Sequence, residues 1–350
     1  MMDIKHGIKN IKGNKDGIYY ASGAGYWSNL ARADNNQYLK DLNALGARET
    51  VNKHFPQHVE AIFALKRAGG IATLDFSQDD IVLDAGCMWG ALSLPIARTG
   101  AEVIAFDQTE ESLRLLKQRM DEEGLDNLHI VRGNLKEADF HHNVFTKVIV
   151  NGVLEWLPED GDVEVCRFIN RGGAVMGNIK KLFTAGERGA SPVFEQQAFL
   201  KKICLSLKDE GCLYLAIENR FNIYYFLGLR EEHCGIRFIS LLPRKLQDTL
   251  SLILRGRRFR TWTYSMPALK RLFSAAGFSR VEMFFAFPDY KEPDLVLSDR
   301  GGLGLFRYNK SVGEIQLFKK AVLRIIEYIV FKRLRWTFFA PSFIVHAYKK

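Results

Sequence analysis

A chain of 350 residues with 47% apolar side chains is long enough to bury one large sheet domain and substantial additions. Its five cysteines (Cys87, Cys166, Cys204, Cys212, Cys234) contain no C-x-x-C pair, which argues against a disulfide framework or a zinc ribbon, and no uninterrupted apolar run is long enough to span a bilayer. The net charge of +9 is concentrated: nine Lys/Arg face three acids between Arg220 and Arg260, and eleven face two between Arg300 and Lys350. Such an excess suits a phosphate-bearing acceptor, nucleic acid or an anionic membrane face, or is simply a solvated surface. The charged, Gly-containing start has no signal-peptide pattern, so the expected location is the cytoplasm, with peripheral membrane contact as an option.

Taken in chain order, Tyr38 to Leu65 has a helical period, and residues 1–75 are expected to form a helical cap. Its aromatics Tyr19, Tyr20, Tyr26 and Trp27 are candidates for a lid or for anchors of that cap. Ile81 to Asp84 then reads as a buried parallel strand, Gly86 to Gly90 as a tight turn, Ala91 to Arg98 as a helix, and Glu102 to Asp107 as a second strand ending in an acid. A carboxylate at Asp107 can accept both hydroxyls of a ribose, the usual grip on an adenosine cofactor in doubly wound sheets. A dinucleotide site would need G-x-G-x-x-G; Cys87, Met88 and Trp89 separate Gly86 from Gly90, so no pyrophosphate cradle is evident.

A third strand is expected at Leu128 to Val131, ending in Gly133-Asn134-Leu135, and a fourth at Thr146 to Asn151, followed by Gly152-Val153-Leu154-Glu155-Trp156-Leu157-Pro158. Phe194 to Leu207 is helical in period, Lys208 to Gly211 reads as a turn, and Cys212 to Glu218 as a fifth strand. After a long interruption, a Ser265-capped helix ends at Ala275-Ala276-Gly277-Phe278, followed by a sixth strand at Arg280 to Phe287. Ile315 to Trp336 patterns as a basic amphipathic helix that packs on the domain or touches a membrane surface or partner, and Phe343 to Lys350 as a closing strand.

Several of these segments resemble class I S-adenosylmethionine-dependent methyltransferases. Asp84, Gly86, Cys87 and Gly90 match their D-x-G-C-G-x-G motif, with Met88 in place of a glycine; Gly152 to Pro158 is similar to their "vLeHlp" segment, with Trp156 where His is common; and Lys208 to Gly211 is similar to their "LkpGG" turn. The resemblance covers about Phe76 to Phe287 plus the last ten residues. It implies an α/β, doubly wound, mostly parallel seven-stranded Rossmann-like sheet with acceptor-side insertions. It also implies S-adenosylmethionine as cofactor (S-adenosylhomocysteine as product), with a cofactor site drawn from Tyr26, Asp84, Gly86, Cys87, Met88, Gly90, Asp107, Gln108, Asn134, Leu135, Asn151 and Val153. Asn134 suits an adenine because its amide both donates and accepts. A narrower resemblance, to methyltransferases of bacterial surface-polysaccharide synthesis, is carried by Glu218-Asn219-Arg220, Glu231-Glu232-His233-Cys234 and Pro288-Asp289-Tyr290.

The expected division is a cap (1–75), a cofactor-binding core (76–219), an acceptor-binding insertion (220–262) and the C-terminal part of the core (263–350). Methyl transfer to a hydroxyl needs a base. His233 is the first choice, oriented by Glu231 or Glu232, with His142 (beside His141) and Glu155 as rivals. No carboxylate cluster converges near the fourth strand, and Asp160, Asp162 and Glu164 read as a solvated loop, so no metal is expected. The preferred acceptor is a hydroxyl, or less favourably an amine, of a sugar, nucleotide-sugar or other small polar metabolite. RNA or protein methylation and a catalytically silent interaction subunit are the alternatives. Nucleic acid is disfavoured because none of its common binding modules is visible.

Overall fold

The computed structural model describes residues 7–21, 35–157, 192–298, 303–304, 329 and 336–350. Strand alternation builds its centre. Leu83, Ile104, Val148, Val150, Leu213, Leu215, Phe343 and Val345 point into one apolar layer, while Val82, Val103, Ala105, Ile149, Tyr214, Ala216 and Ile344 point into the layer behind the sheet. A sheet buried on both faces needs crossover helices, and its strands are therefore parallel where the chain is longest between them.

In chain order the central strands are β3 (Ile81–Ala85), β4 (Glu102–Asp107), β5 (Leu128–Arg132), β6 (Phe145–Asn151), β7 (Leu207–Glu218), β8 (Arg280–Phe287) and β11 (Ser342–Tyr348). They lie in the order β5-β4-β3-β6-β7-β11-β8; β3 to β7 are mutually parallel, and β11 runs antiparallel between β7 and β8. The sheet does not stop at these seven. A hairpin of β1 (Gly13–Lys15) and β2 (Ile18–Tyr20) adds to β5, and β9 (Leu295–Ser298) and β10 (Leu303–Gly304) extend the far edge, giving eleven strands and a mixed sheet. Short edge strands leave little periodicity in a sequence. Asp16 and Gly17, both at positive φ, turn the first hairpin.

That hairpin corrects the expectation of a purely helical N-terminal cap. Tyr19 and Tyr20 sit in β2, paired with Val131 and Arg132, so they anchor an edge and are not a lid. Tyr26 and Trp27 lie outside the described residues, as do Cys166, Asp160, Asp162, Glu164 and all of 315–336 except Ile329 and Trp336. The helical part of the cap comprises α1 (Asn35–Leu45), α2 (Ala47–His54) and α3 (Val59–Phe63). It buries Tyr38, Leu42, Val51 and Ile62 against Trp89 and Leu115. Leu115 belongs to α5 (Glu110–Glu123), which follows α4 (Ser93–Ala97). From α5, Glu122 Oε1 accepts the Ala47 N–H at 2.7 Å and the Arg119 guanidinium donates to Trp89 O at 2.7 Å, pinning the cap to the glycine turn.

Lys208 to Gly211, read as a turn, bulges within β7. The register jumps from Phe145↔Leu207 to Lys147↔Cys212, with Glu210 at φ +60°. Helix α6 (Pro192–Ser206) precedes that strand; α7 (Ile223–Phe226) and α8 (Arg244–Arg255) occupy the insertion, and α9 (Met266–Ala276) leads to β8. Ser265 stands at the N-cap of α9 but makes no side-chain cap bond; Pro267 at the first turn sets the start instead, and Gly277 at φ +100° ends the helix.

Candidate functional site

Two groups of side chains meet the edge formed by the C-terminal ends of the parallel strands, where ligands of open α/β sheets bind. The first surrounds the turn after β3. Gly86 and Cys87 donate their N–H groups to Phe106 O at 2.7 and 3.2 Å, tying the turn to β4. Gly86 (φ +90°), Met88 (+47°) and Gly90 (+79°) all take positive φ, so the turn is left-handed at every second residue. A Cβ at Gly86 would collide with Val153 and one at Gly90 with Leu116. Met88 accepts a conformation that glycine enters freely, and its side chain packs on the cap cluster of Tyr38, Leu42 and Trp89.

Asp107 Oδ2 accepts the Met88 N–H at 3.0 Å and Oδ1 accepts the Thr109 N–H at 2.8 Å. The Thr109 side chain and the Gln108 backbone also bond to this carboxylate, so a ribose hydroxyl would share it with these donors or displace one of them. Burial raises the Asp107 pKa, and these backbone donors oppose the rise. Asp84 is buried and accepts the Ser93 hydroxyl at 2.5 Å; desolvation pushes its pKa to about 7. It therefore clamps the strand to α4. Cys87 and Leu135 are buried in the core layers, so only their backbone atoms remain to meet a ligand. Asn134 Oδ1 accepts the Lys136 N–H at 3.0 Å, Gln108 O accepts from Arg132 Nε at 3.3 Å, and Asn151 ends β6 opposite Ala216. The turn, Asp107, Gln108, Asn134, Asn151 and Val153 thus share one sheet edge. These residues fit an adenosine cofactor, because the Met88 side chain is committed to the cap and the Asp107 carboxylate closes β4 beside the glycine turn, where a ribose is held in such sheets.

The second group gathers where β6, β7 and β8 end. Glu218, the last residue of β7, is 4% exposed; its Oε2 lies 3.2 Å from His233 Nε2 and its Oε1 accepts from Lys291 Nζ at 3.2 Å. Lys291 also pairs with Glu232. Glu231 Oε2 accepts the N–H groups of His233 (2.9 Å) and Cys234 (2.7 Å), so it shapes the loop while Glu218 holds the ring. Of the two acids expected to orient His233, Glu231 also brings Oε1 to 3.9 Å from Nε2, whereas Glu232 pairs with Lys291, and Glu218 makes the closer contact with the ring. The imidazole meets Trp156 edge-to-face, ring centroids 4.6 Å apart, and Tyr290 OH reaches Glu155 Oε1 at 3.4 Å.

The electrostatics separate the acids. Glu155 is fully buried, its Oε2 has no hydrogen-bond partner among the described residues, and desolvation with the nearby Glu218 charge raises its pKa to about 7. Burial acts the same way on Glu218, but His233 and Lys291 outweigh it and hold that carboxyl well below its ordinary range. Burial opposes charge on His233, yet Glu218 and Glu231 leave its pKa raised.

Glu218, Glu231 and His233 also bring one potential ligand atom each within 4.8 Å of one another, a group that could hold a cation and that separate elements hide from a sequence reading. Lys291 already supplies Glu218 with positive charge. His142 does not join the group: it is exposed in the turn entering the N-terminal end of β6, where Asn143 and Val144 donate to Leu205 and Ser206, and seven strand residues, roughly 20 Å, separate it from Asn151. Lys291 and Glu218 were missed as site residues, although Lys291 directly follows the Pro288-Asp289-Tyr290 segment that drew attention.

Comparison with known proteins bears on the first group. Residues 82–173 match a family of methyltransferase domains. The chain carries an S-adenosylmethionine-dependent methyltransferase domain. Over 123 residues it is 26% identical to a Methanocaldococcus jannaschii protein described as "probable cobalt-precorrin-6B C(15)-methyltransferase (decarboxylating)", covering 35% of this chain and 67% of the relative. Over 107 residues it is 29% identical to the 23S rRNA (uracil(1939)-C(5))-methyltransferase RlmD of Francisella tularensis, covering 31% of this chain but 23% of that relative. Among solved structures, the CcbJ methyltransferase of Streptomyces caelestis aligns over 82% of this chain and 90% of its own, at 14% identity and a TM-score of 0.43. The S-adenosylmethionine-dependent methyltransferase of Mesorhizobium loti aligns over 83% and 100%, at 13% identity and 0.43. The methyltransferase match thus covers the turn and Asp107 but ends before β7, so it does not reach Glu218, His233, Tyr290 or Lys291.

Proposed function

We propose that this protein methylates a hydroxyl of a sugar, nucleotide-sugar or other small polar metabolite, with His233 as the general base. The observation that carries the reading is the Glu218–His233 pair, 3.2 Å apart, on the same sheet edge as the glycine turn and Asp107. When bound, S-adenosylmethionine supplies a methyl group on a sulfonium, and the electron pair of the broken C–S bond stays on sulfur. Asp84, the Gly86–Gly90 turn, Asp107, Gln108, Asn134, Asn151 and Val153 would hold it. Glu218 keeps the imidazole proton on Nε2, which leaves Nδ1 to take the acceptor's proton as its oxygen bonds to the methyl carbon. Glu155, raised to about 7 and so partly protonated near neutrality, offers a buried carboxyl and Tyr290 a phenol to orient the acceptor.

Calorimetry of the purified chain with S-adenosylhomocysteine and with NADH tests the cofactor. Saturable binding of the first alone is expected, and binding of NADH alone overturns the reading. Transfer of radiolabelled methyl to sugars and nucleotide-sugars, lost in His233→Gln without loss of S-adenosylhomocysteine affinity, tests the base. RNA methylation is the second reading, favoured by the excess of nine Lys/Arg over three acids between Arg220 and Arg260. It requires salt-sensitive RNA binding that S-adenosylhomocysteine-bound protein retains.

A further inference from the structure

The insertion that delivers His233 is built with its apolar side outward. In α8 the polar residues face the body: Gln247 and Ser251 are buried, Gln247 donates to Ser240 O at 3.2 Å, and Arg244 bonds to Thr261 O at 2.7 Å and lies over the Trp262 ring. Leu246 and Ile253, turned away from Gln247 and Ser251, are 53% and 57% exposed, and Leu254 near the helix end is 56% exposed, while Leu250 packs on Ile236, Ile239 and Phe259. An amphipathic helix packed on a domain for stability alone would bury these and expose the glutamine and serine.

The exposed apolar surface continues beyond the helix. Phe226, Leu227 and Leu229 are exposed at the end of α7, and Phe238 is exposed beside them, its ring next to Gly228. Phe226 packs edge-to-face on Phe339, which also contacts the exposed Trp336. On the other side, Arg255 in the last turn of α8 lies against Gly235, so loop and helix form one surface. So many exposed large apolar side chains gathered on one insertion mark an interaction site.

Charge decides among occupants. Arg230, Arg237, Lys245 and Arg255 are exposed around the apolar residues. A second copy joined by a two-fold axis would bring this basic rim against itself, and a nucleic acid would leave the leucines, isoleucine and phenylalanines without an apolar partner. An anionic bilayer satisfies both parts: apolar side chains enter the acyl boundary while the cations meet lipid phosphates. None of the described helices is long and apolar enough to cross a membrane, so the contact is peripheral.

We propose that the outward face of α8, with the Phe226–Leu229 and Phe238 loops and Trp336, docks this protein on an anionic membrane surface. His233 lies in the same insertion, between Leu229 and Phe238, so docking sets the acceptor cluster beside the lipid headgroups.

Flotation of the full chain with vesicles tests this independently of methyl transfer. Binding to phosphatidylcholine vesicles carrying about 30% phosphatidylglycerol is expected to exceed binding to pure phosphatidylcholine by about ten-fold or more, and to weaken with added salt. Ile253→Asp/Leu254→Asp and, separately, Lys245→Glu/Arg255→Glu should each reduce it about ten-fold or more while S-adenosylhomocysteine affinity and melting temperature stay at parental values. Equal binding to both vesicles, no binding to either, or unaltered binding by both variants overturns the proposal. So does a dimer in vesicle-free solution that Ile253→Asp/Leu254→Asp dissociates, since a second copy would then be the occupant.

Discussion

Gly86 packs closely on Val153, and that contact of the glycine turn can be measured. In Gly86→Ala the new Cβ collides with Val153 Cγ2, and the residue must hold φ near +90°. The backbone conformation costs about 1–2 kcal/mol and the overlap a further ~1–3 kcal/mol, so destabilisation of about 2–5 kcal/mol is expected. Val153→Ala alone removes two methyl groups from a half-buried site and costs about 1 kcal/mol. With it in place, the nearest atom of residue 153 to the introduced methyl group is its Cβ at 3.5 Å, ordinary van der Waals contact, and only the backbone cost remains. Urea unfolding of the four proteins should give a coupling of about 1–3 kcal/mol, with Gly86→Ala milder in the Val153→Ala background. S-adenosylhomocysteine affinity, measured by calorimetry, should recover in the same order. If Gly86→Ala costs the same in both backgrounds to within about 0.5 kcal/mol, the turn does not pack on the segment after β6 and the placement of the cofactor site is refuted.

Asp107→Asn puts a carboxamide where the Met88 and Thr109 N–H groups donate and where the proposed ribose contact lies, and should weaken S-adenosylhomocysteine binding about 10- to 100-fold (about 1.5–3 kcal/mol); undiminished affinity in calorimetry would remove Asp107 from the site. Glu218 stabilises the charged imidazole, so the basic form of His233 appears only as pH rises through a raised pKa. Glu218→Gln should move the acidic limb of the kcat/KM profile to lower pH while lowering kcat, and an unmoved limb would mean that another group titrates there. For Glu155 the unfolded carboxyl ionises near 4.5 and the folded one near 7, so the unfolded state loses its proton first and stability falls as pH rises between them. Glu155→Gln should remove that part of the slope, a difference on the order of 3 kcal/mol between unfolding at pH ~5 and ~8. Asp84 is similarly raised in both proteins and cancels, so identical slopes would show that Glu155 ionises in the fold.

How much of this the sequence revealed depended on whether a signal was local. The strand at Ile81, the glycines and Asp107 lie within 27 residues, and each element announces itself by run length or by residue type. The central strand boundaries were legible for the same reason: seven buried strands alternate over both faces. The edge hairpin was not, because three-residue strands carry no period, and residue type alone left its tyrosines open between lid and anchor until their pairing with β5. His142 looked equivalent to His233 because both follow a strand in sequence, but the turn at His142 leads into the start of β6 whereas the loop at His233 leaves the end of β7. Glu218, His233 and Lys291 are separated by 15 and 58 positions, and only the sheet order, with β11 between β7 and β8, joins them.

The acceptor cluster works as a unit because its members have been driven to different charge states. Glu155 and Glu218 influence one another, yet one is pushed up to about 7 and the other held below its ordinary range. The difference lies in their partners among the described residues: a phenol and an oxygen without a hydrogen bond for Glu155, an ammonium and an imidazole for Glu218. Two neighbouring acids with opposed shifts can divide proton donation and charge stabilisation between them. In the proposed reaction Glu218 is the fixed charge that favours the imidazolium formed when His233 takes the acceptor's proton. Glu155, while protonated, can donate a hydrogen bond to the same acceptor without adding a negative charge beside the oxygen that must become nucleophilic. Lys291 limits how far Glu218 can raise His233, which keeps the base from being so fully protonated that its neutral form vanishes. Lys291→Met should therefore raise the His233 pKa and move the acidic limb upward, opposite to Glu218→Gln; limbs displaced in the same direction by both substitutions would break the assignment of these three side chains to one catalytic group.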